Sequence, residues 1–96
     1  MYKHIVSWEF AEENKSANLK RMKLLLEALP AHIPEIMELE VGLNVRDSKL
    51  AMDMVLITTF ADETAYKIYA THPEHSRVVQ ELHKVTVEAV IVDYET

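Results

Sequence analysis

A chain of 96 residues builds one hydrophobic core and leaves no room for a second domain. Its 16 acidic and 10 basic residues give a formal charge of −6, a balance that repels a phosphate backbone and argues against a nucleic-acid partner. Cysteine is absent, so neither disulfides nor thiolate metal sites stabilise so small a fold, and tight packing or a partner subunit has to.

The first predicted strand runs from Tyr2 to Phe10, where Tyr2, His4, Val6, Trp8 and Phe10 share one face and Lys3, Ile5, Ser7 and Glu9 the other. Ser16 is the expected cap of a helix whose apolar residues Leu19, Met22, Leu25, Leu26 and Leu29 recur at three and four, until Pro30 stops it. After a turn, Met37, Leu39, Val41, Leu43 and Val45 alternate with polar residues and glycine as a second strand. A polar loop over 46–51 leads to a third strand, Met52 to Phe60, apolar on both faces. Asp62 is positioned to cap a helix from Glu63 to Tyr69 or Ala70, with Glu63 and Lys67 at i, i+4. Proline is accepted at the first position of a helix, so Pro73 predicts a fresh start that buries Val78, Val79 and Leu82 and ends near Lys84. The last strand is Thr86 to Glu95.

The order is βαββαβ, an α+β domain of the ferredoxin-like type over residues 1–96. Right-handed crossovers place the helices on one face of a four-stranded antiparallel sheet. The other face is left bare, yet Val55 and Ile57 stand back to back with Met54 and Leu56, and Val90 and Val92 with Ala89 and Ile91. Wetting several hundred Å2 of such surface costs on the order of 10 kcal/mol, comparable to the whole stability of a small domain. A homodimer packed through its sheet faces removes that cost. The RNA-recognition module shares the element order but needs basic and aromatic motifs on its third strand, which Met52 to Phe60 lacks. No run of roughly 18 apolar residues predicts a membrane span, and the N-terminal apolar run is too short for a signal peptide, so a cytoplasmic protein is expected. A single glycine leaves little material for a phosphate-cradling loop.

The polar groups suited to chemistry are His4 and Trp8 on the first strand and the segment Tyr69 to His75, which contains His72. An imidazole moves protons near neutral pH and a tyrosine hydroxyl holds or polarises an oxygen, so Tyr69 and His75 form a candidate acid/base pair, with His4, Trp8 and His72 lining the binding space. Each has a plainer alternative: His72 as a helix cap before proline, His75 as a first-turn residue, Tyr69 and Trp8 as core aromatics, His4 as a buried and satisfied strand residue. Pro73 interrupts the helix that would align His72 and His75, so no metal site is expected. His32 and His83 receive no role.

Lys3-His-Ile-Val6, Leu39 to Val45, the stretch from Phe60 to the His-Pro-Glu-His ending at His75, and Val90 to Glu95 together resemble the stress-responsive A/B barrel (Dabb) family. The resemblance implies a dimeric α+β barrel, in agreement with the bare sheet face. It also implies a possible cofactor-free activity, because a plant member is a polyketide cyclase whose base, tyrosine and pocket histidine correspond to His75, Tyr69 and His4. The chain departs from that pattern after His75, where Ser-Arg-Val-Val carries no aromatic residue. The expected role is binding of a small apolar or aromatic molecule between sheet and helices. Cyclase-like lyase chemistry is one alternative, and a monooxygenase-like member of the dimeric barrel group is another.

Overall fold

A computed structural model describes all residues, Met1–Thr96. Strand β1 occupies Tyr2–Phe10, the extent its period-two alternation predicts, and buries His4, Val6, Trp8 and Phe10 on one face. The sheet has the order β2-β3-β1-β4, with β2 at Glu38–Leu43, β3 at Met54–Phe60 and β4 at Thr86–Glu95. All three neighbouring pairs are antiparallel. Because β1 and β3 are central, the connections leaving them cross over one face, and the helices α1 (Lys15–Glu27), α2 (Glu63–Ala70) and α3 (Pro73–Val85) lie there. The core forms where Met22 and Leu26 of α1, Tyr69 of α2 and Val78 and Leu82 of α3 meet Phe10, Leu56 and Phe60 of the sheet.

Several local expectations shift. Ser16 lies inside the first turn of α1 rather than capping it; the helix starts at Asn14 in the left-handed region, with φ 54° and no side-chain cap. Asparagine tolerates that conformation, and Lys15 ties the turn to Glu12 at 2.9 Å and to Asp53 at 3.3 Å. The helix ends at Glu27, and Pro30 sits near the start of a short 3-10 turn, Leu29–Ala31. Strand β2 is shorter than Met37 to Val45 because Asn44 turns the chain, its Oδ1 accepting from the Arg46 N–H at 3.1 Å. Val45 is 100 % exposed. The third strand begins at Met54 rather than Met52, the preceding Asp53 N–H donating to the Trp8 carbonyl at 2.8 Å.

The helical caps follow the sequence closely. Asp62 accepts from the Ala65 N–H at 2.9 Å, and Lys67 pairs with Glu63 at 3.0 Å. Proline at its first position starts α3, and Thr86 closes it with a hydroxyl donated to the Leu82 carbonyl at 2.8 Å. Strand β4 differs from the rest. It is an edge strand whose residues stay open on both faces: Val90 and Val92 on the side away from the helices, Ile91 on the helix side.

Candidate functional site

Between the helices and the sheet, where α3 stops short of covering β4, lies a cavity of about 230 Å3 lined by three histidines, His4, His75 and His83, and eleven hydrophobic residues. Its floor is β1, which sends His4, Val6 and Trp8 into it. One wall is the break between α2 and α3. Thr71 to Pro73 turn the chain there, so that the rings of Tyr69 at the end of α2 and His75 in the first turn of α3 meet with centroids 4.3 Å apart and planes tilted by 48°. The mouth opens beside Ala89 and Ile91 of β4.

The histidines are held in defined tautomers. His75 Nδ1 lies 3.1 Å from the Ala70 carbonyl oxygen, an acceptor, so Nδ1 carries the proton and Nε2 presents a lone pair. His4 Nδ1 lies 2.6 Å from Asp93 Oδ1 and donates to it, while the Tyr2 hydroxyl donates to Asp93 Oδ2 at 2.7 Å. Asp93 is therefore engaged through both oxygens and fixes the His4 ring as a carboxylate fixes an imidazole in a catalytic dyad. Strand register creates this arrangement, since β4 pairs His4 with Asp93 directly.

Burial sets the electrostatics. His75 has its pKa lowered, chiefly by desolvation, which outweighs the opposing hydrogen bond to the Ala70 carbonyl, with lesser help from the neighbouring His4 and His72; the neutral, proton-accepting ring is favoured. The Tyr69 phenol is pushed up by burial and by Tyr66, so it stays a proton donor. Tyr69 is only 1 % exposed and its hydroxyl bonds to no protein group, yet no sealed polar side-chain atom lacks a partner. The hydroxyl therefore meets solvent through the cavity.

Of the residues singled out from sequence, the fold brings Tyr69, His75, His4 and Trp8 to one cavity. His72 stands apart: its Nδ1 accepts from the Glu74 N–H at 3.1 Å, capping α3, and it does not line the space. Sequence reasoning passed over Asp93, Tyr66 and His83. Tyr66 stacks on Tyr2 at 4.8 Å and sits 4.9 Å from the His4 ring, extending the aromatic wall. The signal for Tyr66 was its i, i+3 spacing from Tyr69 on one helix face. For Asp93 it was the alternation Ala89, Ile91, Asp93 on the helix side of the last strand. His83 lies a turn below Val79 on α3, exposed at the rim. No group of three or more histidine, aspartate and glutamate residues is arranged to hold a metal ion, and no helix is long and apolar enough to cross a membrane.

The stress responsive A/B barrel domain matches residues 2–96. The chain belongs to that family. Among solved structures, a dimeric protein of unknown function with a ferredoxin-like fold from Bacteroides fragilis is 34 % identical to this Dabb chain, with a TM-score of 0.88 over 99 % of it and 95 % of the other. A dimeric ferredoxin-like protein of unknown function from Thermobifida fusca shares the fold at 19 % identity and a TM-score of 0.89, covering 99 % and 90 % of the two chains. The hydroxynitrile lyase of Passiflora edulis does so at 15 % identity and a TM-score of 0.86, covering 97 % and 90 %. Those last two likenesses concern the fold alone. No curated protein matches the sequence.

Proposed function

We propose that this Dabb protein is a homodimer in which each subunit binds a small, mainly apolar molecule carrying a hydroxyl or carbonyl group in the cavity between sheet and helices. The supporting observation is the composition of that cavity: eleven hydrophobic residues enclose about 230 Å3 around His4, His75 and the unpartnered Tyr69 hydroxyl. Apolar walls with a few converging polar groups are the usual make-up of a small-molecule site. The homodimer is supported by the outer sheet face, where Val90 and Val92 are 45 % and 62 % exposed, and by the dimeric relatives. Native mass spectrometry on protein taken gently from its source is expected to show a dimer carrying a small organic ligand. Sedimentation as a monomer at micromolar concentration would overturn the dimer. A ligand-free protein that also fails to take up any member of a library of phenols and ketones would overturn the binding reading.

The fixed tautomers favour a second reading, proton-transfer catalysis of the cyclase-like lyase class. With Nδ1 committed to Ala70, His75 Nε2 is the base that removes a proton from the carbon next to a carbonyl. Tyr69, kept protonated by burial, donates to the enolate oxygen as negative charge develops there. Asp93 holds His4 beside them. The step as drawn uses side chains of this chain only. A turnover assay on poly-β-keto compounds is expected to lose roughly 10²–10⁴-fold in rate for His75→Ala and Tyr69→Phe. Unchanged rates would remove both residues from the chemistry.

A further inference from the structure

The cavity is a slot with unlike ends. His4 and Trp8, which enter it from β1, are four residues apart, so the floor between them is roughly 13 Å long. The polar chemistry is gathered at one end. There the His4 ring lies 4.9 Å from Tyr66 and 6.2 Å from Tyr69, and Tyr69 lies 4.3 Å from His75. At the other end strand register sets Trp8 beside Ala89, the smallest side chain in the lining. Along α3, His83 follows His75 by roughly 12 Å, and its ring is exposed at the rim.

The polar end selects a head group. His75 Nδ1 is committed to the Ala70 carbonyl, so Nε2 offers only a lone pair, whereas the Tyr69 hydroxyl, without a protein partner, offers a proton. A ligand hydroxyl answers both, donating to His75 and accepting from Tyr69. A carbonyl or ether oxygen only accepts, and leaves Nε2 facing another lone pair. A carboxylate finds no lysine or arginine in the lining, and the Asp93 carboxylate behind His4 balances that ring in either protonation state, so a buried negative charge stays uncompensated. Volume limits the remainder. Since an apolar cavity of about 150 Å3 takes up benzene, about 230 Å3 holds one six-membered ring with about three further carbon atoms.

We propose that the ligand is a single-ring alcohol or phenol lying along β1, its hydroxyl between Tyr69 and His75 and its hydrocarbon end against Trp8, and that Ala89 sets the length admitted. This rests on the cavity-binding reading above and names its ligand class. Because β4 sets only a methyl group beside Trp8, a longer side chain at position 89 shortens the slot.

Calorimetric titration with matched compounds separates the parts. Para-propylphenol is expected to bind at least about tenfold more tightly than para-propylanisole, and propylcyclohexanol at least about tenfold more tightly than propylcyclohexanone, with para-propylbenzoate weaker still. Equal or tighter binding of the ether, the ketone or the carboxylate would overturn the head-group assignment and leave a cavity that binds small molecules. Failure of every compound to bind would overturn that broader reading too. Ala89→Leu is expected to weaken para-propylphenol at least about tenfold more than phenol itself, with an unchanged far-ultraviolet circular dichroism spectrum because position 89 is exposed. Equal losses for the two ligands would overturn the orientation. The single tryptophan gives a check in the unaltered protein: at saturation Trp8 emission is expected to shift more with para-propylphenol than with phenol, and identical shifts would remove the hydrocarbon end from Trp8.

Discussion

Strands β1 and β4 lie side by side, paired from Tyr2 to Phe10, and both send apolar side chains toward the helices, yet they end in different environments. On β1 the helix-side residues are sealed, Phe10 at 1 % and His4 at 6 % exposure, while on β4 Ile91 remains 62 % exposed. Composition does not explain the contrast, since β4 is the greasier strand. Position does: three helices span β2, β3 and β1 and leave the edge strand uncovered. A residue type fitted for burial thus ends up sealed or open according to its place in the sheet. In the reading proposed above, the open inner side of β4 is the mouth of a binding site and the open outer side belongs to a second copy.

Four substitutions break or sharpen this contrast, all measured by urea unfolding at one fixed protein concentration because dimerisation adds to apparent stability. The largest effect is expected for Phe10→Ala, which empties a sealed site and lowers the unfolding free energy by about 3–5 kcal/mol. Asp93→Ala attacks the one place where β4 supplies something β1 needs. It strips both the His4 ring and the Tyr2 hydroxyl of their acceptor and is expected to lower stability by about 1.5–3 kcal/mol. A still smaller effect concerns His75, whose folded pKa lies below the ordinary 6.5. Below that value the unfolded chain binds the proton more readily, so stability falls as pH drops through the ordinary imidazole range and is fully present above it. His75→Gln is expected to flatten that part of the stability profile; an identical slope in both proteins would contradict the assigned burial. Ile91→Ala should change stability by less than about 0.5 kcal/mol while weakening retention of any ligand in the cavity. A loss as large as that of Phe10→Ala would mean that β4 is covered after all.

Much of this could be read from the sequence, for identifiable reasons. The alternation over Tyr2–Phe10 was uninterrupted, so both strand and inward face followed. Asp62 and Pro73 are strong local signals, and the helices begin where they say. The weaker signals misled: Ser16 is a good cap by type, but a left-handed Asn14 two residues earlier had already turned the chain, and the alternation through Val45 outlasted the pairing that makes a strand. In the candidate site, Tyr69, His75, His4 and Trp8 were visible as chemistry-bearing side chains, whereas Asp93 was not. Its importance comes from pairing with a strand at the far end of the sequence, and local pattern carries no information about which strand will be the neighbour. His72 shows the converse, a residue suited to chemistry whose ring nitrogen is taken up by the Glu74 amide.

The contact between His4 and Asp93 joins residues 89 positions apart. A ribosome delivers β1 well before the carboxylate partner on β4, so the central strand waits with one edge unoccupied while the chain between them is made. Closing so distant a contact is slow compared with forming the helices between. The newborn chain is therefore exposed to mispairing along that edge until β4 is made, and a product that stops before β4 would expose the flank on which the imidazole depends.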